Sequence, residues 1–100
     1  MRKAATISLS AKIHEKLEAM PAGISESIRR SVHQANKDPE LLASAFKLRL
    51  SMPPYEDIKQ VGYRADEKFR TAAAELSGMT KLPVEQVVRL CIEAYVYRLD

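Results

Sequence analysis

The chain has a single cysteine, Cys91, among its 100 residues, so an internal disulfide framework is excluded. That cysteine lies inside the apolar run V-V-R-L-C-I-E-A-Y, where a small buried side chain is expected. No apolar run approaches the ~20 residues of a membrane span. M-R-K-A-A-T lacks the apolar stretch of a signal peptide, so the expected location is cytoplasmic, with no membrane contact. Catalytic patterns are missing too. No nucleophile has a general base at motif spacing, and there is no P-loop, no Rossmann glycine pattern and no H-E-x-x-H. His14 and His33 fall on different helices at exposed-looking positions, away from any cysteine or carboxylate cluster at metal-ligand spacing. The expectation is a protein that is not an enzyme, with no catalytic residue, no metal and no cofactor.

What is present is enough chain for one compact domain over residues 1–100, able to fold without disulfides. Sixteen basic residues against thirteen acidic give a net charge of +3, compatible with a nucleic-acid partner. Its distribution is more informative. Residues 1–36 carry six Lys or Arg (Arg2, Lys3, Lys12, Lys16, Arg29, Arg30) against three Glu, whereas 37–58 come to minus one and 59–100 to plus one.

The order of elements repeats. T-I-S-L-S alternates polar and apolar residues, which predicts a strand over Thr6 to Ser10. Ser10 is placed to cap a helix whose apolar face is Ile13, Leu17 and Met20. Pro21, Ala22 and Gly23 stop that helix, and G-I-S-E-S restarts it, with Ser25 as the cap and Ile28, Val32 and Ala35 on one face up to Asn36. A third helix is predicted from Asp38 and Pro39 through E-L-L-A-S-A-F-K-L-R-L, ended by M-P-P-Y. I-K-Q-V-G-Y-R-A then alternates as a second strand, Gln60 to Ala65. Asp66 caps a helix bearing Phe69, Ala72, Ala73 and Leu76, which Gly78 closes. M-T-K-L makes a turn, Pro83 takes a first helical position, and V-E-Q-V-V-R-L-C-I-E-A-Y-V-Y-R-L forms the last helix. Phe69, Tyr95 and Tyr97 are spaced as core or interface residues.

An offset of 56 superposes the two patterns: Leu9 on Ala65, Ser10 on Asp66, Ile13 on Phe69, Leu17 on Ala73 and Met20 on Leu76. A lone strand leaves its backbone groups unpaired. The partner of the first strand is therefore expected to be the second, giving a mainly α fold with a two-stranded antiparallel β-ribbon. Residues 2–36 and 59–100 would form two units, joined by a helical linker over 37–58. Ile7, Leu9, Val61, Tyr63 and Ala65 would face the helices, and Ala4, Thr6, Ser8, Gln60, Gly62 and Arg64 would face away, with Arg64 across from Thr6 and Ser8.

The segment K-A-A-T-I-S-L-S-A-K-I-H-E-K-L-E-A-M-P-A-G-I-S-E-S resembles the ribbon-helix-helix family of DNA-binding proteins, in particular its small plasmid copy-number repressors with a G-x-S-x-S turn. The resemblance is clear over residues 2 to about 36 and holds at the level of pattern over 59–99. It implies a tandem ribbon-helix-helix chain, an intramolecular pseudo-dimer that is monomeric in solution. It also implies a partner, double-stranded DNA, entered by the ribbon at the major groove. Tandem forms resemble accessory proteins of plasmid conjugation and T-DNA transfer, which assist a relaxase at a transfer origin. Thr6, Ser8, Gln60 and Arg64 are then the base-reading candidates. Arg2, Lys3, Ser25, Ser27, Thr80 and Lys81 are the phosphate candidates, with the start of each unit's second helix as the grip. The second unit has the longer G-M-T-K-L-P in place of G-x-S-x-S, and Ala4 and Gly62 bring no hydrogen-bonding group to the outer face, so DNA shape is expected to share in the readout.

Other readings of the same residues stand beside this one. Ser25 serves equally as a plain helix cap, Arg64 as a solvated strand residue, and Arg29 and Arg30 as a solvated helix face. The alternative function is a protein-interaction module of antitoxin or adaptor type, using the helix Glu40 to Leu50 and the P-P-Y segment. A third is a purely structural helical domain. Repression and relaxosome assembly require the same ribbon, so the sequence leaves both open. Association on DNA through Phe46, Leu48 or Leu50 is expected if the middle helix leaves an apolar stripe exposed.

Overall fold

The computed structural model describes residues 3–51 and 58–97. The phosphate assignment of Arg2 and the P-P-Y segment lie outside the described residues, and Lys3, Ala4, Leu50 and Ser51 are described by their backbone alone. The elements run β1 (Lys3–Ser10), α1 (Ala11–Glu18), α2 (Ile24–Lys37), α3 (Glu40–Ser51), β2 (Ile58–Ala65), α4 (Glu67–Thr80) and α5 (Val84–Val96). The described residues are mainly helical, with one antiparallel two-stranded sheet whose strands, one near the start of the chain and one past its middle, each precede helices.

Both strands are longer than their alternation alone indicates. The register pairs Lys3 with Ala65, Ala4 with Arg64, Thr6 with Gly62, Ser8 with Gln60 and Ser10 with Ile58, without interruption. Arg64 therefore stands directly across from Ala4 and not from Thr6 or Ser8, as antiparallel pairing runs each strand's end against the other's beginning. The inner row is as expected: Ile7, Leu9, Val61, Tyr63 and Ala65 are buried, and Tyr63 meets Phe69 edge to face at 5.5 Å between ring centres.

Two caps set the first helix after each strand. Ser10 Oγ accepts from the Ile13 amide at 3.3 Å, and Asp66 Oδ1 accepts from the Phe69 amide at 2.7 Å. Replacing Asp66 by alanine is expected to lower stability by about 1 kcal/mol, read as a lower urea midpoint with an unchanged slope.

Three local expectations are corrected. Met20 lies beyond the end of α1, in the following turn, where it packs partly buried against the core. Gly78 does not close α4; the helix passes through it to Thr80 and ends where Lys81 takes the left-handed conformation, φ 60°. Pro83 is the N-cap of α5 and not its first residue, with ψ of 147° still extended.

Beneath the ribbon, α1, α2, α4 and α5 enclose one core, and α3 lies against α5. Ile28 and Val32 on α2 and Val88 and Ile92 on α5 are among its most deeply buried side chains, on two helices that pack together. Leu41, Leu42 and Ala45 turn inward and are buried, whereas of the residues expected to form an apolar stripe Phe46 is left 43% exposed and Leu48 is half-buried. Cys91 is buried, and burial pushes its thiol up to about 12. Glu93 on α5 is a buried carboxylate with Arg49 of α3 at 3.7 Å, an ion pair that ties α3 to the core.

Candidate nucleic-acid interface

The outer row of the ribbon consists of small and polar residues. Thr6, Gln60, Gly62 and Arg64 are exposed and Ser8 is half-buried. Alternation puts them there, because their neighbours in sequence are the buried Ile7, Leu9, Val61, Tyr63 and Ala65. A hydroxyl donates and accepts, a glutamine amide can pair with two atoms of an adenine edge, and a guanidinium with two of a guanine edge. Arg64 is the single charged residue in the outward positions of Thr6, Ser8, Gln60, Gly62 and Arg64.

Gly62 sits in the middle of this row, opposite Thr6. A Cβ added there would meet nothing within 4 Å, and its φ is outside the left-handed region. The register shows no bulge at that point. Neither backbone geometry nor crowding inside the chain calls for glycine, although glycine weakens a strand. Gly23 is different. Its φ of 88° at the start of α2 is a conformation that favours glycine.

Both strands of a two-stranded ribbon are edges, and each has one carbonyl taken by an arginine from a helix. Arg29 Nη1 of α2 donates to the Arg64 carbonyl at 3.0 Å, and Arg89 Nε of α5 donates to the Ser8 carbonyl at 2.7 Å. Arg29 is thus no solvated helix residue: its side chain is 12% exposed and also bonds Glu26 at 2.6 Å. Arg30, at 58% exposure, keeps the expected surface position and reaches Glu26 at 3.3 Å. These bonds, that from Arg29 first, hold the Glu26 carboxyl below its ordinary range. Neither contact to the ribbon was readable from spacing, because the partners lie 35 and 81 residues apart.

The phosphate candidates divide. Ser25 is half-buried and is the second residue of α2; Gly23, not Ser25, is the N-cap. Ser27 is fully buried, and its hydroxyl has no protein partner, so it cannot present an oxygen to a ligand outside the fold. Its position explains this: one turn into α2, it lies next to Ile28 on the side that turns toward the core. Thr80 is half-buried and its Oγ1 is engaged within the chain, donating to the Leu76 carbonyl at 2.8 Å and accepting from the Leu82 amide at 3.4 Å, whereas Lys81 is exposed at the helix end. One feature of the helix starts remains. α1 and α4 have side-chain caps, but α2 and α5 begin at Gly23 and Pro83 with none, so no cap side chain competes for their first amides.

His14 lies 2.8 Å from Glu18, and among the described residues no group of three or more His, Cys, Asp and Glu could hold a metal ion. No helix of the described residues is long and apolar enough to cross a membrane. Comparison of the chain with protein-family models, with curated proteins and with solved structures found no match.

Proposed function

We propose that this protein binds double-stranded DNA by inserting the β1–β2 ribbon into the major groove, as a tandem ribbon-helix-helix chain in which two units form an intramolecular pseudo-dimer. The observation that carries the reading is Gly62. An exposed mid-strand glycine with open space above it weakens the ribbon and serves no contact within the chain, which is the mark of a surface approached closely by something else. The polar row around it has the chemistry of base edges, and a two-stranded ribbon fits a major groove about 12 Å wide.

The pseudo-dimer rests on the agreement of sequence offset and register. Thr6 and Gly62 are 56 residues apart and face each other. Adding 56 to the pair's other neighbours turns Ala4 into Gln60 and Ser8 into Arg64, so the pair Ala4–Arg64 becomes the pair Gln60–Ser8. The caps Ser10 and Asp66 are also 56 apart. Arg29 and Arg89, 60 apart across the longer second turn, bond the carbonyls of Arg64 and Ser8, themselves 56 apart. A two-fold axis through Thr6 and Gly62 accounts for all of these relations. Such a protein suits either repression or an accessory role beside a relaxase in DNA transfer, and the same ribbon serves both.

The test is a titration of duplex binding against salt. Affinity is expected to fall linearly on logarithmic axes, since phosphate contacts release counterions. A flat response overturns the proposal. Gly62→Val, measured in parallel, is expected to raise stability by about 0.5–1 kcal/mol while weakening duplex binding, because the added side chain fills the space at the centre of the row. A purely structural ribbon would gain the stability with no loss of binding.

A further inference from the structure

The two ends of the ribbon's outer face are not alike, although the register makes them equivalent in position. One end presents Arg64 opposite an alanine, Ala4; the other presents Gln60 opposite Ser8. The centre is uneven as well, a threonine across from a glycine. A homodimer of either unit would present the same pair at both ends. The side chains of Gln60 and Arg64 leave the same strand, four residues apart, or about 13 Å, close to the rise of four base pairs. Arginine pairs best with guanine, and glutamine with adenine.

We propose that the ribbon seats on duplex DNA in one orientation only and reads a non-palindromic element, with guanine beneath Arg64 and adenine beneath Gln60 and Ser8, about four base pairs away. This rests on the DNA-binding reading above. The fold supplies a near-symmetric frame, and the outer residues give that frame a direction. The backbone on which both readers stand is fixed from each side, by Arg29 at the Arg64 carbonyl and by Arg89 at the Ser8 carbonyl. Each reader is therefore held over its own end of the element.

The experiment is selection of bound duplexes from a random-sequence pool by the full-length chain at one fixed salt concentration, followed by sequencing. The expected product is a motif that differs from its own reverse complement, with a guanine and an adenine at the stated separation and a preference of about 5- to 150-fold at each. A self-complementary motif overturns the inference. So does retention of duplex without enrichment of any sequence, which leaves duplex binding itself intact. No retention of duplex at any salt concentration overturns the DNA-binding reading and this inference with it. The double variant Gln60→Arg with Arg64→Gln keeps composition and charge, and circular dichroism verifies its fold. In the same selection its preferred guanine should move to the other end of the motif. A guanine that stays in place overturns the assignment of Arg64 as its reader.

Discussion

Replacing Arg64 by alanine is expected to lower the ratio of specific to nonspecific duplex affinity by about 1–3 kcal/mol, with little change in fold stability. The side chain stands on the exposed face of β2. What the fold uses at this position is the backbone carbonyl, which accepts from Arg29 and is untouched by the substitution. Surface changes of this kind stay within about 0.5 kcal/mol of the parent's stability. Affinity for a preferred duplex and for an unrelated duplex is measured at one salt concentration, for parent and variant. If both fall together and the ratio holds, Arg64 is a phosphate anchor, since phosphate contacts carry no sequence information.

Cutting the chain after Asn36 is expected to remove its stability as a monomer altogether. The partner of β1 is β2, and α2 packs against α4 and α5, so the fragment retains a strand with nothing to pair and helices with an open apolar side. Isolated strands and short helices are marginal in water. Two fragments can replace the missing half with each other, in which case unfolding followed by circular dichroism shifts with fragment concentration. Cooperative unfolding at a midpoint independent of concentration would mean that β1, α1 and α2 hold together unaided.

The parts of this fold that the sequence announces are those governed by local rules. Alternation places Ile7, Leu9, Val61, Tyr63 and Ala65 inward, and all are buried. Ser10 and Asp66 precede apolar helix faces and cap them. The rest depended on tertiary context. Gly78 reads as a stop, but a helix tolerates one glycine at about 1 kcal/mol when its neighbours pack well, and Leu76 beside it is fully buried. Ser27 reads as a surface hydroxyl because serine favours helix starts; the twist of α2 carries it inward beside Ile28. Arg29 reads as solvated and Arg89 attracts no expectation, because nothing local distinguishes an arginine that bonds a distant strand carbonyl from one that meets water. Glu93 sits in an apolar run, and only the arrival of α3 with Arg49 shows how its charge is accommodated. On the ribbon's outer face, alternation places Thr6, Gln60, Gly62 and Arg64 outward and all four are exposed, whereas the residue facing Arg64 required the register.

The buried pairs on α2 and α5 bear on how this chain can change through mutation. Isoleucine precedes valine on α2, at 28 and 32, and valine precedes isoleucine on α5, at 88 and 92. When two identical chains share a core, each codon is expressed in both halves, and an altered side chain arrives there twice. Here each codon is expressed once. An isoleucine shortened to valine costs about 0.5–1.5 kcal/mol a single time, and a lengthened neighbour on the other helix can refill the volume. The inheritance of one half is thereby freed from that of the other, and a sequence can drift apart between its two halves while the space they jointly fill stays the same.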